Sequence, residues 1–83
     1  MTVEDVFFIR HKGAVATGKV EIGSLRVGEE VQIDGGQPVR VDGIEAFRKV
    51  LEEAGAGDNI GLLFSTLQRD DIKRGATITS SGF

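Results

Sequence analysis

Apolar residues in this chain fall in short runs separated by glycine-rich polar breaks, the pattern of many short strands rather than a few long helices. Residues 3–9 are β-branched and aromatic and predict a first strand. Alternation puts Val3, Asp5, Phe7 and Ile9 on one side of it and Glu4, Val6 and Phe8 on the other. Both sides carry apolar groups, so both are expected to be covered. Arg10-His11-Lys12-Gly13 reads as a polar turn, and residues 14–22 as a second strand. Gly18 inside that strand marks a bulge or a close backbone approach. Residues 23–28 read as a short connection, residues 30–33 as a third strand, Asp34-Gly35-Gly36-Gln37-Pro38 as a turn, and residues 39–44 as a fourth strand. Residues 60–67 are almost continuously apolar and predict a strand buried on both faces. A charged loop over 68–75 and a last strand over 76–80 follow, with a frayed end over 80–83. Between these lies an ambiguous stretch. Ile44, Phe47, Val50, Leu51 and Ala54 follow helical spacing and Gly55 stands where a helix would end, so periodicity alone predicts a helix over 45–54.

Composition narrows the function classes. At 83 residues the chain is read as one domain over 1–83. It has no cysteine and one histidine, which removes disulfides, thiolate metal sites and multi-histidine sites. The net charge of −3 argues against a protein that coats nucleic acid, although not against a local contact with one RNA end. Five Phe with no Tyr or Trp give no broad base-stacking platform. No apolar run approaches the roughly 20 residues of a membrane span, and no basic segment followed by an apolar core opens the chain. The expected location is the cytoplasm, with no membrane contact.

Catalytic and nucleotide motifs are missing. None of Lys12, Lys19, Lys49 and Lys73 is followed by the hydroxyl residue that a phosphate-cradling P-loop requires, so no nucleotide is expected. No nucleophile-elbow motif occurs, and His11 sits in a basic turn with no serine–acid partnership implied by spacing. The adjacent pairs Glu52-Glu53 and Asp70-Asp71 read as solvated surface rather than metal ligands. The chain is expected to be non-enzymatic and to need no cofactor or metal.

Six segments kept in order carry a family resemblance. They are V-E-D-V-F at 3–7, G-x-V-x-T-G-x-V-E at 13–21, L-R-V-G-E-E-V at 25–31, I-E-A-F-R-K-V-L at 44–51, A-G-D-N-I-G at 56–61 and R-D-D-I-K-R-G at 69–75. Together they resemble domain 2 of elongation factor Tu and of the translational GTPases, over nearly the whole chain. The resemblance implies an all-β fold, a closed antiparallel six- to seven-stranded Greek-key barrel. It also implies a strand over 44–51, against the helical spacing. In that family the domain holds the aminoacylated 3′ end of transfer RNA. The implied apolar slot is Ile9, Val15 and Leu63, with Glu45 as a hydrogen-bond acceptor and Arg48 beside it. Glu4 and Asp5 match an acidic pair at its edge, Asn59 a loop facing the aminoacyl group, and Lys12 and Arg74 basic residues placed for phosphate.

The resemblance therefore implies a translation-linked binding module that contacts aminoacyl-tRNA or the ribosome and has no GTPase activity of its own. The chain also departs from the family. His11-Lys12-Gly13 replaces a Gly-Arg-Gly turn, and Lys19 stands for an arginine, which a lysine does not reproduce in bidentate contacts. Phe8 and Ile22 stand where the family has polar residues. Gained apolar groups imply a possible protein interface, so the alternative reading is a repurposed barrel for protein association or homodimerisation without RNA binding.

Overall fold

Where the sequence is richest in β-branched and aromatic residues, the chain forms its longest ladder. In the computed structural model, which describes residues 1–80, β1 (Thr2–Ile9) pairs antiparallel with β2 (Gly13–Lys19). Ser81, Gly82 and Phe83, and the end expected there, lie outside the described residues. The pairing slips between Val3 and Asp5, where two steps along β1 answer one along β2 and Glu4 is the extra residue. That bulge corrects the simple alternation: Val3 and Val6 both enter the core. The expectation that both sides of β1 are covered fails at Phe7 and Phe8, which stay 45% and 42% exposed.

The following elements are β3 (Ser24–Arg26), β4 (Glu30–Ile33), β5 (Val39–Arg40), β6 (Gly43–Ala46), β7 (Lys49–Leu51), β8 (Glu53–Gly55), β9 (Asn59–Phe64), a single 3-10 turn (Arg69–Asp71) and β10 (Ile78–Thr79). The fold is all-β and antiparallel, in sheets ordered β1-β2-β9-β6-β7, β10-β4-β5 and β3-β8. Hydrogen bonds run from sheet to sheet. Val3 N–H donates to Ala76 O at 2.8 Å and Ile78 N–H to Met1 O at 2.8 Å, joining β1 to the segment that pairs with β4. Val41 N–H donates to Glu29 O at 2.9 Å and Asp42 N–H to Leu63 O at 2.8 Å, carrying the β5–β6 segment from β4 across to β9.

No helix forms over 45–54. The segment is β-structure, as the resemblance implies, but it is the two-stranded β6–β7 hairpin followed by β8 rather than one strand over 44–51. Ile44 and Ala54 do point inward, but Phe47 and Val50, the middle of the supposed helical stripe, are 86% and 83% exposed. A stripe that a helix would bury is split by the hairpin between core and solvent. Three smaller expectations also change. Residues 23–28 contain β3 rather than a bare connection, and 39–44 is interrupted between β5 and β6. The strand from 60 ends at Phe64, and it alternates, with Ile60, Leu62 and Phe64 buried and Gly61 and Leu63 half-buried.

The core gathers Phe64, Leu25, Ile44, Leu62 and Ile78, all essentially without solvent contact, around small residues Ala14 and Ala16 of β2. Burying each large side chain contributes about 1.5–3 kcal/mol. β2 sits close to both neighbours. A methyl at Gly13, where φ is +135°, would collide with the Phe64 carbonyl oxygen, and one at Gly18 would collide with the Thr2 carbonyl oxygen. Gly18 thus marks a close backbone approach, while the bulge lies opposite it on β1.

Asp42 fastens the β5–β6 segment to the end of β9. Its carboxylate accepts from the Ser65 hydroxyl at 2.7 Å and the Ser65 N–H at 2.8 Å. These bonds, the hydroxyl first, hold the Asp42 carboxyl below its ordinary value of 3.8, and the Arg40 guanidinium at 3.7 Å adds to them. A carboxylate depressed in this way stabilises the fold above its unfolded pKa and loses that contribution as pH falls through the folded value.

Two outcomes follow. Gly13→Ala is expected to cost about 2–4 kcal/mol and lower the midpoint of thermal unfolding by roughly 10 °C or more, measured by circular dichroism. Asp42→Asn is expected to cost about 1 kcal/mol at neutral pH. In urea titrations the gap between it and the parent stays constant down to about pH 5 and closes as pH drops further.

Candidate functional site

Cross-strand pairing decides which side chains share the outer face of the five-stranded sheet. One row runs Phe7, Val15, Leu63, Gly43 across β1, β2, β9 and β6. The next runs Thr17, Gly61, Glu45, Val50 across β2, β9, β6 and β7. Barrel-type exteriors ordinarily carry polar groups at such positions, yet here the first row is apolar throughout. Gly61 lowers the floor between Val15 and Thr17; a methyl there would lie 3.0 Å from Val15 Cγ1.

The result is an open groove of about 450 Å³. Val15, Thr17, Gly18, Ile60 and Gly61 form its floor, Glu4 and Phe7 one wall, and Glu45, Ala46, Phe47 and Asn59 the other. Val15 is buried although it lies outside the core cluster, because it belongs to this outer floor. The groove thus combines an apolar base, two aromatic rings and two carboxylates. Among the described residues neither Glu4 nor Glu45 has an ion-pair partner within 4.0 Å.

Of the positions marked by resemblance, Glu4, Val15, Glu45 and Asn59 meet in this groove. Leu63 continues the Val15 row at its edge, and Ile9, paired with Gly13, lies one row further out; both are half-buried. Arg48 does not line the groove. Its guanidinium carbon stands 5.2 Å above the Phe47 ring, which does. Asp5 turns away to a smaller hollow of about 190 Å³ with Arg69 and Arg74. Arg74 Nε donates to the Glu4 carbonyl at 3.2 Å, so this residue braces the β1 bulge. Lys12 sits in the turn at the opposite end of β1, where its N–H donates to Ile9 O at 2.9 Å. Lys12 and Arg74 therefore cannot hold the same phosphate.

Phe8 and Ile22 do not share a patch. Phe8 pairs with Ala14 at one end of the β1–β2 ladder, whereas Ile22 follows the other end and borders a hollow with Met1 and Ile78. About eight residues of extended chain, roughly 20 Å or more, separate them. Seven groove residues lie outside the set that the sequence points to: Phe7, Thr17, Gly18, Ala46, Phe47, Ile60 and Gly61. Alternation already aligns Phe7 with Asp5 and Ile9, but the β2–β9–β6 register that joins it to Gly61 and Glu45 is a long-range fact. A larger hollow of about 610 Å³ beside β4 and β10 is lined by Glu29, Glu30, Val31, Gln32, Pro38, Thr79 and Ser80 and holds none of the marked positions.

No three His, Cys, Asp or Glu side chains converge for a metal among the described residues, and no described helix is long and apolar enough to cross a membrane.

Comparison with known proteins fits this arrangement. The translation elongation factor SelB from Methanococcus maripaludis, in its apo form, superposes on the entire chain with a TM-score of 0.86 at 30% sequence identity. The match covers 100% of this chain and 19% of that factor, so the chain spans about a fifth of its length. The family model for elongation factor Tu domain 2 matches residues 13–79, from the first residue of β2 to the last of β10. With that match extending over most of its length, the chain belongs to the elongation factor Tu domain 2 family.

Proposed function

We propose that this domain is a translation-linked, non-enzymatic binding module working in the cytoplasm, whose groove receives the 3′ end of an aminoacylated transfer RNA. The three sheets act in this reading as one closed Greek-key barrel, an interpretation supported by backbone hydrogen bonds between segments flanking different sheets, Val3 N–H to Ala76 O, Gly28 N–H to Val41 O and Asp42 N–H to Leu63 O. The observation that carries the functional reading is convergence: Glu4, Val15, Glu45 and Asn59 come from four different strands and line one groove.

The chemistry suits a single-stranded nucleotide end, which is read by apolar contact with the base plane and hydrogen bonds to its edge and sugar. The terminal base lies on Val15 beside Phe7. The Glu45 carboxylate accepts from a ribose hydroxyl, and Arg48 offers its guanidinium to phosphate from the rim. One groove supplies only part of the contact a complete factor makes, so affinity is weak. Association with a protein is the second reading, favoured by the exposure of Phe8 and Ile22 at 42% and 68%. Phe8 and Ile22 lie at opposite ends of the β1–β2 ladder, so one partner would have to span both.

Nuclear magnetic resonance titration of the labelled domain separates the two readings. Aminoacylated tRNA is expected to shift Glu45, Arg48 and Leu63, deacylated tRNA to shift them less, and Glu45→Ala or Arg48→Ala to weaken binding by about fivefold or more. Unmoved resonances at all three positions with both RNAs would contradict the tRNA reading.

A further inference from the structure

Arg48 occupies an expensive position. It is one of two central residues in the β6–β7 turn, with Ala46 paired to Lys49 on either side, and its φ is +58°. A non-glycine residue in the left-handed region is strained, and such outliers collect at functional sites. The turn has an unusual consequence for charge. Arg48 lies three residues from Glu45 on the same hairpin and carries the opposite charge. The guanidinium rests on the Phe47 ring at 5.2 Å, and no ion pair joins it to Glu45. The ring is 86% exposed, so its burial does not account for its presence.

We propose that Phe47 is a positioning residue: its ring holds the Arg48 guanidinium at the groove rim and keeps it off Glu45. Two groups that would otherwise neutralise each other are thereby kept free. Glu45 retains its lone pairs for a hydroxyl donor in the groove, and Arg48 retains its donors for an anion above it. A leucine at 47 keeps the apolar bulk but has no π face for the cation. Without that face, the short hairpin brings carboxylate and guanidinium together, and the groove loses an acceptor and a cation at once. The inference rests on the proposed RNA reading for its use, but not for its geometry, and the experiment tests the two separately.

In the free domain, the δ protons of Arg48 are expected to resonate upfield of their usual position because of the ring current. That displacement should vanish in Phe47→Leu and persist in Phe47→Tyr, with the unfolding midpoint unchanged in both. Identical Arg48 shifts in Phe47→Leu and the parent overturn the proposal. With alanyl-tRNA as the probe, Phe47→Leu is expected to bind about two- to fivefold more weakly, Phe47→Tyr like the parent, and Phe47→Leu/Arg48→Ala no more weakly than Arg48→Ala alone. A further loss in the double variant also overturns it, since Phe47 would then act on the RNA directly. If the parent binds no alanyl-tRNA while the ring-current shift behaves as expected, the tRNA reading fails and the positioning of Arg48 by Phe47 stands.

Discussion

Strand β2 has no room for a side chain at Gly13 or Gly18, and its residues between them alternate between a tight core and the groove floor. Ala14 and Ala16 face inward with no solvent contact, while Val15 and Thr17 face outward. Because the backbone of β9 and that of the first residues press on the two glycines, the strand cannot slide against either neighbour. A one-residue slip in such a ladder would exchange its faces. The constraint therefore fixes more than stability: it decides that Phe7, Val15 and Leu63 share one row and Thr17, Gly61 and Glu45 the next.

The groove depends on that register together with two local devices. The bulge at Glu4 lets Val3 and Val6 both serve the core, while Glu4 itself joins the groove wall and Asp5 faces Arg69 and Arg74. Arg74 holds the bulge by donating to the Glu4 carbonyl. On the opposite wall the β6–β7 hairpin carries Glu45, Phe47 and Arg48, and its strained turn sets how acid, ring and cation are spaced. Asp42, locked to Ser65, ties the start of β6 to the end of β9 and so supports that wall from behind.

Local chemistry made much of the fold legible. The glycine punctuation and β-branched runs predict β1, β2, β4, β9 and the turn at 34–38, because backbone freedom and side-chain shape act within a few residues. The 45–54 segment was misread by periodicity because Phe47 and Val50 mimic a helical stripe although neither is buried. Short apolar runs carry too few turns for the period to discriminate. Only the family resemblance points to β-structure there, and the turn that splits it into β6 and β7 is carried by neither signal. The candidate site was half legible for a related reason. Glu4, Val15, Glu45 and Asn59 come through resemblance, whereas Phe7, Gly61 and Phe47 share the groove because β2 pairs with β9, Thr17 meeting Gly61 from 44 positions away, and β9 in turn pairs with β6. The separation of Lys12 from Arg74, and of Phe8 from Ile22, is equally a product of strand length and register that no local signal carries.

On the function we propose, the outer face of the β1-β2-β9-β6 ladder receives an aminoacylated nucleotide end. A crystal structure of the domain soaked with an aminoacyl-adenosine analogue tests this most directly. The predicted result is a base lying on Val15 beside Phe7, with a ribose oxygen within hydrogen-bond distance of the Glu45 carboxylate. An analogue seated instead in the hollow beside Glu29 and Glu30, or no ordered analogue at saturating concentration, would contradict it.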